Sequence, residues 1–373
     1  MENTVENNVS LPTENTTGAA NKKRRILLIA IASVVGVLLL GTMVILANTF
    51  LFNVKRDGVH YKWVRGGYCV VGYEGEGGDV VIEETLNKRP VIAIGEYAFE
   101  NQVTITSVTV PNSVKSMGFG AFDDCMGLVS LTLPFVGDSA SEPTYTHIGY
   151  LFGGPDHRDN DCVMPRTLVS VTVTGEAPLG AAAFLSCRYL TDVTLGDGVS
   201  AVGNSAFESC IALVSVSFGK GVTAIGEAAF AGCTALVEID LPDAVERLEN
   251  ATFKDCSSLQ TVWMPENLKF IGTSVFYECT VLAEFEIPAG VVSIDTFAFR
   301  NCRRIRKLVL PASLERISAF AFEGCRYLRD VTFEGDAQWR ISGSERVFVP
   351  LDGSEAAAYL RDTYLTESWR RVD

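Results

Sequence analysis

Ten cysteines lie outside the single long apolar run of this chain, and Cys187, Cys210, Cys233, Cys256, Cys279, Cys302 and Cys325 are each 23 residues apart. Thiols at regular intervals suggest a disulfide framework, a metal cage or a thiolate nucleophile. The spacing argues against each. Thiols recurring at one position of a stacked repeat point the same way, which suits disulfide geometry poorly. No Cys-x-x-Cys or paired His accompanies them, as zinc would require. A nucleophile needs a base, and His60, His147 and His157 are the only histidines. The column, with Cys125 as an eighth member, therefore reads as buried free thiols, leaving Cys69 and Cys162 as the candidates for bonding or reactivity.

Other catalytic signals are equally weak. Neither Gly-x-Ser-x-Gly nor His-Glu-x-x-His occurs, and Gly75-Glu76-Gly77-Gly78 lacks the following helix of a phosphate loop. Asp156-His157-Arg158-Asp159-Asn160-Asp161 gathers carboxylates without the calcium-loop spacing or its central glycine, and reads as a solvated loop. No enzyme, metal or other cofactor is expected. Beyond residue 25 the chain carries 42 acids against 27 bases. Such a surface repels phosphate backbones, so nucleic acid is not an expected partner.

The elements that must hold these residues follow from the same spacing. A phenylalanine precedes each cysteine of the 23-residue series by three, from Phe184 to Phe322, and a leucine or isoleucine follows by three, from Leu190 to Leu328. Three columns in register mean a solenoid with one supersecondary unit per turn. Phe122, Cys125 and Leu128 match fully, Phe99 in part, and Ile148 to Phe152 forms a degenerate turn that rejoins the pattern at Leu168 to Val173 after an insertion, making ten turns. Within the coil from Ile225 to Pro242, Leu236, Ile239 and Leu241 point inward while Glu238 and Asp240 alternate outward, as in a strand. Pro111, Pro134, Pro242, Pro265, Pro288 and Pro311 end strands where no ladder donor is needed. Ala-Phe-x-x-Cys has the compactness of one helical turn, and Val245 and Leu248 begin the next coil. Parallel strands about 4.8 Å apart would give a sheet roughly 45 Å long.

The consensus Ile-Gly-x-x-Ala-Phe-x-x-Cys-x-x-Leu-x-x-Val-x-Leu-Pro resembles the BspA-like leucine-rich repeat family over about Val91 to Phe333. The resemblance implies an α/β, right-handed leucine-rich-repeat solenoid of 23-residue coils with a parallel sheet. It also implies a surface protein engaged in adhesion or recognition, and it carries no functional residue across. Solenoids present an extended concave sheet to partners. The outward positions begin as a hydroxyl-rich plain, Ser107/Thr109 to Ser215/Ser217, and then set Trp263 between the acidic pairs Glu238/Asp240 and Glu284/Glu286. An outward Trp has no core role and could stack on a sugar or clasp a cation. These five residues form the candidate ligand-binding patch. The competing reading leans Trp263 on the stems of Glu238 and Glu284.

The solenoid is expected to follow a single transmembrane helix. Residues 26–52 contain no charge and exceed the roughly 20 residues needed to cross a bilayer. Cleavage near Ala47 is the alternative, but a signal peptide's apolar region runs only about 7–15 residues. Lys22-Lys23-Arg24-Arg25 is denser than the charge beyond the run, placing the N-terminus in the cytoplasm and the repeats outside the cell. The expected divisions are a disordered cytoplasmic tail with a basic stop over 1–25, the anchor over 26–52, a linker over 53–63, a capping hairpin over 64–90, the solenoid over 91–335 and a cap over 336–373. The hairpin would join Tyr68–Tyr73 to Asp79–Ile82. Asp352 and Glu355 would box a helix from Gly353 to Ser368, with Leu360, Tyr364 and Trp369 covering the last coil. The expected function is cell-surface recognition or adhesion through a protein or glycan ligand; the alternative is a structural envelope spacer without a specific ligand.

Overall fold

A coil that alternates aliphatic with polar side chains buries only one face of its strand, so it gains a core by stacking on copies of itself. The computed structural model describes residues 53–141, 143–342, 347–348 and 353–372. The anchor expected over 26–52 and the capping residue Asp352 lie outside the described residues. Among the described residues, no helix is long and apolar enough to cross a membrane.

The first ladder is the expected parallel sheet. Gly78–Val81, Ile105–Thr109, Ser130–Leu133, Ser170–Val173, Asp192–Leu195 and Ser215–Ser217 pair in that order. Glu238–Asp240 then pairs with Thr261–Trp263, and Lys307–Leu310 with Asp330–Phe333. The two interruptions adjoin phenylalanines that stand where most coils carry an aliphatic residue. Phe218 meets Phe230 edge-on with centroids 6.1 Å apart, and Phe285 stacks on Phe299 at 5.2 Å. Ring size alone does not break the ladder, since Phe333, at the position of Phe218, pairs in full register with Leu310.

A second, shorter ladder runs along another side. Arg247–Leu248, Phe270–Ile271, Ser293–Ile294 and Arg316–Ile317 pair in parallel, as do Ala201–Val202 and Ala224–Ile225. Their inward residues, from Val202 to Ile317, are buried. Leu248 thus belongs to a strand, beyond merely opening a coil.

The Ala-Phe-x-x-Cys segment is not the helical turn expected from its compactness. It is a run of overlapping tight turns whose alternate N–H groups leave the coil. Ala228, Phe230 and Gly232 donate to the carbonyls of Asn250, Thr252 and Lys254 in the next coil at 2.9, 2.9 and 2.7 Å. Ala228 and Gly232 sit at φ 53° and 73°, and the equivalent positions of the other coils are left-handed as well. For a residue with a Cβ that conformation costs about 1–2 kcal/mol, offset by the inter-coil bond its own N–H makes. A helix would have returned those N–H groups to its own chain.

Inside, the phenylalanine column is a continuous stack. From Phe184 to Phe276 successive centroids are 5.1–5.6 Å apart with planes within 8° of parallel. Each thiol of the column from Cys210 onward donates to the phenylalanine carbonyl of the preceding coil; Cys256 Sγ reaches Phe230 O at 3.1 Å. That carbonyl already accepts from the Cys233 N–H, so the thiol takes up its second lone pair. Cys187 follows the degenerate turn and instead donates to Met164 Sδ at 3.2 Å. Burial pushes Cys125, Cys256 and Cys325 up to about 12, and raises Cys69 as well. Thiolates are the reactive species. An aromatic disulfide reagent at neutral pH is therefore expected to titrate exposed Cys162 rapidly, Cys69 slowly and the column only after denaturant. Rapid native reaction of the whole set would refute this packing.

Both caps differ from expectation. Gly67–Tyr73 and Gly78–Val81 are not hairpin partners: the first pairs in parallel with Arg89–Ile94 and the second with Ile105–Thr109. Together they form a further coil, because Gly77 and Gly78, at φ 92° and 74°, turn the chain from one sheet to the other. The antiparallel hairpin lies earlier, Val59–Val64 against Gly67–Tyr73, within the segment read partly as linker. At the other end the α-helix stops at Ala358, a wider turn follows over Tyr359–Thr363, and Trp369–Val372 is a strand antiparallel to Arg316–Ile317. Leu360 and Trp369 are buried at the end of the stack, brought there by two elements instead of one helix.

Candidate functional site

The long sheet turns one row of side chains outward at every second residue. Asp79, Ser107, Ser130, Ser170, Asp192 and Ser215 occupy one register row, and Thr109, Thr132, Thr172, Thr194 and Ser217 the next. Some of these hydroxyls are already engaged. Ser107 donates to Asp79 at 2.6 Å and Ser215 to Asp192 at 2.7 Å. With the Thr191 hydroxyl at 2.6 Å, Ser215 holds the Asp192 carboxyl below its ordinary value.

Further along, the register brings four of the five expected residues together. Glu238 faces Thr261, which bridges in turn to Glu284, and Asp240 faces Trp263. All five are exposed, and Trp263 leaves 50% of its surface in water. Glu286 stands on the interrupted coil beside Phe285, outside the paired rows. None of the four carboxylates forms an ion pair among the described residues. The patch thus offers one flat ring between carboxylates free to accept hydrogen bonds or hold a cation.

The periodic match now has an independent counterpart. The family model for the BspA type leucine rich repeat region matches six copies over residues 82–146, 178–303 and 269–342, more than half of the chain. The chain belongs to the BspA-type leucine-rich repeat family. Proteins of this family are binding and structural proteins. Among solved structures, the T. pallidum leucine rich repeat protein TpLRR is 25% identical, covering 61% of this chain and 90% of that one with a TM-score of 0.37. A leucine rich cell surface protein from Faecalibacterium prausnitzii A2-165 is 18% identical over 76% and 95% of the two chains, with a TM-score of 0.30. A leucine-rich repeat protein from Eubacterium ventriosum is 18% identical over 72% and 93%, with a TM-score of 0.42. No curated protein matches.

In this BspA-type chain the insertion falls in the gap between matched segments, at 147–177. Its acids serve the local fold. Asp156 Oδ1 accepts from the Arg158 N–H at 2.9 Å and Asp159 Oδ2 from the Asp156 N–H at 3.0 Å, a capping box. Asp161 pairs with Arg188 at 3.1 Å. Among the described residues, no group of three or more His, Cys, Asp or Glu is placed to hold a metal ion. His147 and His157 stand with ring centroids 6.3 Å apart, yet His147 is buried and packed as a structural group. Sequence reasoning missed Asn160, fully buried and central to this insertion, because its partners His147, Gly149 and Leu185 lie 11–25 residues away at no repeated spacing.

Proposed function

We propose that this protein is anchored in the cell membrane through residues 26–52, with a cytoplasmic N-terminus. Its repeat domain is displayed outside the cell as a recognition or adhesion module. A protein or glycan ligand docks on the outer face of the long sheet at Glu238, Asp240, Trp263, Glu284 and Glu286. The observation that carries this reading is Trp263, half exposed and the single aromatic side chain among the described outward residues of these rows, with Asp240 directly beside it. An exposed indole gains nothing for the core, while a sugar ring or a cationic side chain can lie against it with the carboxylates alongside.

The test is the full-length chain probed on an array of host proteins and glycans, wild type against Trp263→Ala. A central aromatic anchor is worth about 2 kcal/mol, so the variant is expected to bind roughly thirtyfold more weakly. Its melting temperature should barely move, since the side chain is exposed. A spacer would show no specific ligand, or binding indifferent to Trp263, and either result would overturn the assignment.

A further inference from the structure

The charge of this chain is unevenly placed. Residues 301–373 hold 12 Lys and Arg against 11 acids, whereas residues 26–300 hold 15 against 31. Part of the basic charge forms a line on the short-strand sheet. One register row runs Arg247, Phe270, Ser293 and Arg316 through parallel pairings, then Arg370 and Arg340 through antiparallel ones; Ser293 within it is buried, and the arginines are exposed. Arg316, Arg370 and Arg340 are therefore direct neighbours on three successive strands.

Like charges directly opposite weaken a sheet, and strands lie only about 4.8 Å apart. Asp295 compensates Arg316 at 2.5 Å. Arg340 and Arg370 are exposed and have no ion-pair partner among the described residues. The middle of the row, Phe270, Ser293, Arg316 and Arg370, lines a groove of about 540 Å³ together with Glu315 and Arg371, and among the described residues Glu315 is its lone acid; Arg340 continues the row beyond it. Among the described residues, two cations of a chain with excess acid thus stand uncompensated where they repel each other.

We propose that this arginine line binds an acidic polysaccharide bearing one carboxylate on each sugar ring, laid across the strands. Guanidinium is planar and always charged, and its fork meets a carboxylate through two parallel bonds, which lysine cannot do. Charges repeated at the strand spacing suit a polymer whose charges also repeat. Nucleic acid fits less well, since single-strand binders stack bases on open rings. The ring of this row, Phe270, is covered by the Arg247 guanidinium 4.2 Å from its centroid. This site lies on a different sheet from Trp263 and stands or falls separately.

The experiment uses the full-length chain at low salt with polygalacturonate, heparin, dextran and duplex DNA. Polygalacturonate is expected to bind and dextran not to. The double variant Arg340→Ser/Arg370→Ser should weaken polygalacturonate about tenfold or more. Arg304→Ser/Arg306→Ser, which removes two exposed cations outside the row, should leave it unchanged. The first variant should also melt no lower than wild type, because it relieves repulsion. The proposal is overturned by undiminished binding in that variant, by equal loss in the Arg304/Arg306 control, by preference for heparin or DNA, or by a lowered melting temperature.

Discussion

Phe253→Ala is expected to destabilise the repeat domain by about 3–5 kcal/mol, the range for emptying a fully packed phenylalanine site. Phe253 is completely buried and stacks on Phe230 at 5.5 Å and Phe276 at 5.6 Å, both nearly parallel. Truncation leaves two ring faces without partners, each stacked contact being worth about 0.5–1.5 kcal/mol beyond area. Collapse cannot easily refill the space. The Phe253 coil is tied to the next through the Phe253 N–H to the Val275 carbonyl at 2.9 Å and the Asp255 N–H to the Tyr277 carbonyl at 2.8 Å. The stability of a solenoid approximates a sum over coils and nearest-neighbour interfaces. A central lesion weakens two interfaces at once, so urea unfolding should shift to lower midpoint and broaden as the halves uncouple. Phe253→Leu, which keeps most of the volume, should recover the greater part. A midpoint within error of wild type for the alanine variant would mean that the column does not hold the coils together.

That column was legible because each inward position repeats: Phe, Cys and Leu or Ile recur at fixed offsets, and a side chain that must share one interior tolerates little variation. The outward rows were legible for the complementary reason, that strand alternation puts Glu238 and Asp240 on the side opposite Ile239. Backbone bonds were not legible. Nothing in Ala-Phe-x-x-Cys distinguishes a helical turn from alternating turns whose N–H groups reach the next coil, since the side chains pack alike in both. The short-strand sheet left only a single inward aliphatic per coil, such as Leu248 or Ile271, too brief for periodicity to register. The arginine row needed more still. Arg316 meets Arg370 only because the chain returns as an antiparallel strand after Ser368, where the acid and spacing suggested a continuing helix.

Asn160→Leu is expected to cost about 4 kcal/mol and to release the insertion as a unit. Asn160 is completely buried and uses both ends of its amide. Its Oδ1 accepts from the Gly149 N–H at 2.9 Å and from His147 Nδ1 at 3.2 Å, and its Nδ2 donates to the Leu185 carbonyl at 3.0 Å. Because Oδ1 only accepts, His147 carries its proton on Nδ1. Burial pushes this ring below the ordinary imidazole value, so it is neutral at pH 7. Leucine has nearly the same shape and none of these bonds. It would strand two donors and one acceptor, each costing about 1–3 kcal/mol when buried unpaired. The effect should be local before it is global. The bond to Leu185 joins the insertion to the regular coil that follows, and opening it loosens Ile148–Phe152 while the phenylalanine stack beyond remains closed. Hydrogen exchange is the measurement: amides of residues 148–164 should lose protection in the variant while those of residues 230–300 keep theirs. Uniform loss along the chain would place the insertion inside the cooperative core, and unchanged protection would mean that the amide network does not fasten it.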